Sequence, residues 1–111
     1  FVADFIGTIN CINGTMREGC FETEGGRIPW TAIGKGPTEL LFRPENATIT
    51  DAGKGMLRGV VSGAFFLGDR TRLIVKGVGR ETLTLETVSR REYREGDQIG
   101  IDIDLEMVSV L

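Results

Sequence analysis

Asp102, Asp104 and Glu106 stand two apart near the end of the chain, in the run IDIDLEM. Alternate residues of an extended strand share a face. Three carboxylates so spaced offer oxygen ligands to a hard cation. The looped spacing of a calcium-binding loop is missing, however, and a solvated strand face that keeps an edge from pairing accounts for the row more simply. Arg90, Arg91 and Arg94 surround Tyr93, a combination suited to stacking on single-stranded nucleic acid. Here Glu92 and Glu95 interleave and nearly cancel the charge. Three glycine-rich spots invite a phosphate cradle. Gly34-Lys35-Gly36 and Gly53-Lys54-Gly55 have no Ser or Thr after the lysine, and Gly77-Val78-Gly79-Arg80-Glu81-Thr82 has Thr where a third glycine belongs. All three read as turns. Ser62, Ser89, Cys11 and Cys20 are nucleophile types, but the chain has no histidine to activate them. The reading is therefore no catalytic residue, no metal site and no nucleotide cradle within these residues.

The totals point the same way. The 111 residues suit one domain, 1–111, with a modest core. The net charge of −3 disfavours a surface built for phosphate backbones. Nowhere do 18 apolar residues run together. The chain opens FVADFIG, without a basic leader and without Met, and is read as a piece of a longer protein. Two sequons, Asn13-Gly14-Thr15 and Asn46-Ala47-Thr48, carry no weight without a secretion signal. Two cysteines are too few for a disulfide framework. Cys11 and Cys20 are expected to be free thiols in a reducing compartment.

Sixteen glycines against three prolines favour short strands joined by tight turns. Ile9 to Met16, broken at Gly14, reads as the first strand. A turn centred on Glu18-Gly19 returns it as Cys20 to Glu24. That register sets Arg17 opposite Cys20, Met16 opposite Phe21 and Thr15 opposite Glu22. It gathers Ile12, Met16 and Phe21 on one face, and it separates Cys11 from Cys20 too far for a disulfide. Gly25 to Pro37 reads as irregular, anchored by Trp30. Further strands are expected at Thr38–Arg43, Ala47–Thr50, Met56–Phe66, Thr71–Lys76 and Glu81–Val88. In the last of these Leu83 and Leu85 alternate with Thr82, Thr84 and Glu86. A helical turn is expected within Ser89–Glu95. Ile99, Ile101 and Ile103 alternate along the next strand, and Met107–Leu111 closes the chain. Eight or nine short strands at this spacing predict an all-β, OB-like barrel or sandwich with little helix.

One element ends oddly: LLFRPEN, where apolar residues run into Arg43-Pro44-Glu45. Pro44 removes a backbone donor and forces Arg43 to stay extended, so the strand must end or bulge there. If the chain continues extended, Arg43 and Glu45 point to the same side. Two readings stand level on physics alone. One is a surface charge pair worth under about 1 kcal/mol. The other is an interface rim offering a held Arg and carboxylate to a partner.

LLFRPENATIT resembles the Arg-Pro-Glu strand of the transport-associated OB-like (TOBE) domain, which follows the ATPase domain in ATP-binding subunits of ABC importers of the maltose, polyamine, sulfate and ferric-iron type. FVADFIGTIN resembles the segment joining the two domains, making residues 1–8 the tail of that joint. GVVSGAFFLGDRTRLIVK resembles the family hairpin, with Gly68-Asp69 at its tip, and REGDQIGIDIDLEMVSVL resembles the family ending. Two departures stand out: Asn46 where the family often has His, and the passage Gly25–Pro37, which follows no family pattern. The resemblance implies a regulatory and dimerising domain with Arg43, Pro44 and Glu45 as its signature and Arg43 and Glu45 as interface residues. It implies a second copy of the subunit, permease subunits and a regulatory protein or small ligand as partners. It implies no cofactor in this piece, with ATP and Mg belonging to the parent chain, and a cytoplasmic place against the inner face of the membrane. Alternatives are a small module sensing an oxyanion or sugar and, further off, a nucleic-acid-binding OB fold.

Overall fold

The computed structural model describes residues 9–29, 36–88 and 91–110. Trp30, the glycine turn at 34–35, the joining segment 1–8, Ser89, Arg90 and Leu111 lie outside the described residues. The strands are β1 (Asn10–Arg17), β2 (Cys20–Thr23), β3 (Gly26–Pro29), β4 (Gly36–Phe42), β5 (Ala47–Asp51), β6 (Leu57–Phe66), β7 (Thr71–Lys76), β8 (Leu83–Thr87), β9 (Gln98–Ile103) and the two-residue β10 (Ser109–Val110). Two 3₁₀ turns, Pro44–Asn46 and Leu105–Met107, are the described helical elements. The fold is all-β and OB-like, as expected, in one curled antiparallel sheet with strand order β10-β4-β1-β2-β3-β6-β7-β8. β9 branches from it, pairing with both β5 and β6.

The first hairpin has the expected register, Arg17↔Cys20, Met16↔Phe21 and Thr15↔Glu22. Glu18 (φ 50) and Gly19 (φ 78) both take the left-handed region, which is what a tight turn matched to strand twist requires. Gly14 does not break β1. A Cβ there would sit 2.5 Å from the Phe21 ring, so the glycine makes room for Phe21 to cross beneath an unbroken strand. The described part of the Gly25–Pro37 passage is not irregular either: beyond Gly25 it lies in β3 and at the start of β4. Glu24-Gly25 forms a two-residue loop between Thr23 and Gly26, and β3 pairs along β2 to Cys20↔Pro29. Pro29 ends that strand, so its missing donor costs no interior ladder bond.

Alternation puts Ile12, Met16, Phe21, Ile28, Leu40, Leu73, Leu83, Leu85, Ile99, Ile101 and Ile103 into one buried cluster. Gly77-Val78-Gly79 does more than turn the chain. Val78 is fully buried, and its carbonyl accepts from the Gly25 amide at 2.9 Å. The Thr23 hydroxyl lies 2.8 Å from both Val78 O and Asn13 O and gives its single proton to one of them. This loop plugs one end of the closure.

Asn10, 3% exposed, is the buried polar residue among those described. Its Nδ2 donates to Thr84 O at 2.7 Å, and its Oδ1 accepts from the Thr84 amide at 2.8 Å. One side chain thus does for β8 what a neighbouring strand would do, joining β1 to β8 where no ladder runs.

Candidate interaction surface

Arg43 holds the extended conformation expected of it (φ −91, ψ 155), and β4 ends at Phe42. The chain then tightens into the 3₁₀ turn instead of continuing extended. The Asn46 amide donates to Arg43 O at 2.9 Å, and the Ala47 amide returns to Pro44 O. Pro44 is buried, and Arg43 and Glu45 are exposed on either side of it. The turn separates the two side chains: among the described residues no ion pair links Arg43 to Glu45. Arg43 instead borders a cleft of about 230 Å³ with Ile9 and Met107, both exposed apolar residues. Asn46, the family departure, is used by its backbone, its carbonyl accepting from the Asp104 amide at 2.9 Å.

Gly68 and Asp69 lie at the tip of the β6–β7 hairpin. Gly68 has φ 101, and the Leu67 amide donates to Arg70 O at 2.8 Å across the loop. Asp69 pairs with Arg70 at 3.1 Å. Arg70 and Arg72 both reach Glu86, each at 3.1 Å. The Arg70 guanidinium holds the Asp69 carboxyl below its usual range, and Asp69 with Glu86 pushes the Arg70 pKa upward. Burial pulls Glu86 up, but the two guanidiniums outweigh it and hold its carboxyl low. The two sequence-marked regions meet across a groove of about 290 Å³, with Glu45, Ala47 and Ile49 on one wall and Arg70, Glu86 and Val88 on the other.

The acidic row does not survive as a row. β9 ends at Ile103 and the chain enters the second 3₁₀ turn, and two of the three acids serve the backbone. Asp102 Oδ1 accepts from the Met56 amide at 2.9 Å, and Asp104 Oδ1 accepts from the Glu106 amide at 3.1 Å. Among the described residues no three potential ligands converge on a metal position. The expected helical turn in Ser89–Glu95 is absent from its described part, 91–95. Arg91 is tied to Asp51 at 3.0 Å and lies 5.1 Å over the Tyr93 ring, so its charge is committed within the fold. Ser62 Oγ donates to Ile74 O at 3.2 Å. Cys11 and Cys20 are free thiols. Burial and the adjacent Glu39 carboxylate, 3.3 Å away, push the Cys11 thiol up to about 11, the opposite of an activated nucleophile.

Sequence reasoning missed the Arg70–Glu86–Arg72 clasp and the apolar hairpin end. The signal for the clasp was present: carrying the β6–β7–β8 register through puts Phe65, Arg72 and Glu86 in one cross-strand row. For the hairpin end, Phe65 (55% exposed), Phe66 (76%) and Leu67 stand in solvent. The expected strand already reached Phe66; what exposes its end is that the pairing with β9 stops at Val60.

A family model described as the TOBE domain matches residues 40–111. The whole chain is 35% identical to the spermidine/putrescine import ATP-binding protein PotA of Clostridium novyi (strain NT), covering 32% of that protein. It is 29% identical to the protein of the same name from Onion yellows phytoplasma (strain OY-M), covering 27% of it. The chain thus spans about a third of the length of these curated relatives.

Proposed function

The chain belongs to the TOBE domain family, and from that premise we propose that it is the regulatory and dimerising domain of an ATP-binding subunit in an ABC importer. The observation that carries this reading is the match along the whole chain to relatives named as import ATP-binding proteins. Their names give the solute class of the proposal, polyamines. In this reading ATP and Mg bind in the parent's ATPase domain, permease subunits contact the parent, and the assembly sits at the cytoplasmic face of the membrane. This domain contributes no bond-breaking step. Its work is contact.

The mechanism is mechanical. ATPase halves that open and close need a joint that stays shut, and a β closure with a packed core deforms little. Arg43 and Glu45, exposed and not paired with each other, offer one charge of each sign from a corner fixed by buried Pro44. A second copy related by a two-fold axis can set Arg43 against Glu45 in both directions, since such a contact is isologous. Rim pairs of this kind steer and orient more than they hold. The test is sedimentation equilibrium of the chain with Arg43→Glu, Glu45→Arg and both together. Each single swap is expected to weaken self-association a few-fold, and the double swap to restore it. Singles without effect would remove the corner from the contact.

A further inference from the structure

β6 changes partners along its length. Leu57 to Val60 pair with β9, and Val60 to Phe66 pair with β7. On the β9 side the last bonds are at Val61, whose amide donates to Asp97 O and whose carbonyl accepts from the Gly96 amide, both at 2.8 Å. A bulge follows between Val61 and Gly63. Beyond it, Ser62 to Phe66 have β7 on one edge and, among the described residues, no backbone hydrogen bond on the other.

Natural sheets protect such edges with charge or proline. The run Ser62-Gly63-Ala64-Phe65-Phe66-Leu67 contains neither. It carries exposed Phe65, Phe66 and Leu67, and a cleft of about 360 Å³ lies beside it, bordered by Ala64, Phe66 and Tyr93 together with the charged Arg91, Glu92 and Arg94. The charges nearest the tip, Asp69, Arg70, Arg72 and Glu86, neutralise one another. Beside the cleft Arg91 pairs with Asp51 and Arg94 with Glu92, so in a chain of net charge −3 an edge that carries no charge of its own, flanked by paired charges, lets two copies approach with little like-charge repulsion.

We propose that this edge pairs with the same edge of a second copy, β6 against β6, antiparallel about a two-fold axis centred on Ala64. The inference rests on the dimerising role proposed above and names a contact surface for it beside the Arg43–Glu45 corner. A centre at Ala64 uses the whole free edge and sets each phenylalanine against a small residue, Phe65 opposite Gly63 and Phe66 opposite Ser62. Phe65 already lies over its own Gly63, its ring 3.3 Å from where a Cβ would be. In the paired form each Phe65 ring turns from its own Gly63 to the partner's, where cross-strand cover of an edge glycine pins register.

The test uses the 111-residue chain. Phe65→Lys/Phe66→Lys places four lysines around the axis and is expected to raise the dimer dissociation constant about tenfold or more, with unchanged circular dichroism. Ala64→Cys, in a Cys11→Ser/Cys20→Ser background, is expected to form an intermolecular disulfide on mild oxidation, since directly opposed antiparallel residues stand within bridging distance. Should the lysine variant fail to fold, the crosslink decides alone. A dimer that ignores the lysines and gives no Ala64→Cys crosslink overturns the edge and leaves the dimerising role intact. A chain that stays monomeric at millimolar concentration overturns both.

Discussion

The β1–β8 seam and the β6–β7 hairpin end solve the same problem in opposite ways. Each is a place where a strand runs out of neighbours. At the seam, the buried Asn10 side chain satisfies both backbone groups of Thr84 at 2.7 and 2.8 Å. At the hairpin end no backbone hydrogen bond among the described residues caps the second edge of β6, and two phenylalanines face solvent. An unsatisfied group inside the body costs the full desolvation penalty, whereas at the end water satisfies it. The body therefore holds the fold, and the end is free to serve a partner.

The largest expected difference is in packing. Leu73→Ala, in the fully buried core, should cost about 2–5 kcal/mol, while Phe66→Ala at the hairpin end should change monomer stability by less than about 0.5 kcal/mol. Urea unfolding of dilute samples reads both. Equal losses would erase the distinction between body and end. Asn10→Ala removes both partners of the half-buried Thr84 backbone and should cost about 1–2 kcal/mol. A loss under 0.5 kcal/mol would mean that β8 closes without the seam.

Smaller effects sharpen the picture at the tip. Glu86→Gln, which removes the clasp of Arg70 and Arg72, should cost less than about 1 kcal/mol. Because the folded Glu86 carboxyl is held low, its contribution is present above the ordinary glutamate value of about 4.5 and is lost as pH falls below it. The difference between wild type and Glu86→Gln should therefore shrink on acidification below that value, and a constant difference would count against the clasp. Cys11, with its thiol raised from 9.0 to about 11, should react with iodoacetamide at pH 8 at least about a hundredfold more slowly than a free cysteine peptide, in proportion to thiolate.

Much of this fold was legible because alternation is a local signal. Ile99, Ile101 and Ile103, and Leu83 with Leu85, declared their buried faces before any contact was known, and Glu18-Gly19 fixed a register that the structure keeps. What stayed hidden depended on contacts that alternation does not encode. Gly14 looked like a break because Phe21 crosses it from another strand. β3 hid behind Gly25-Gly26 and Pro29, turn residues that here form a hairpin loop and a strand end. Asp102 looked like part of a strand face because its partner, the Met56 amide, is remote in sequence, and Asp104 because the strand reading passed over a local cap on the Glu106 amide. At the candidate surface, the Arg43-Pro44-Glu45 corner could be located in sequence, but its separation of the two charges follows from the 3₁₀ turn.

The most direct measurement is the mass of the chain in solution as concentration rises, by sedimentation equilibrium. The expected result is a reversible climb from 12.1 kDa toward twice that value. A mass fixed at 12.1 kDa up to millimolar concentration would contradict the claim that this β closure works by meeting a second copy of itself.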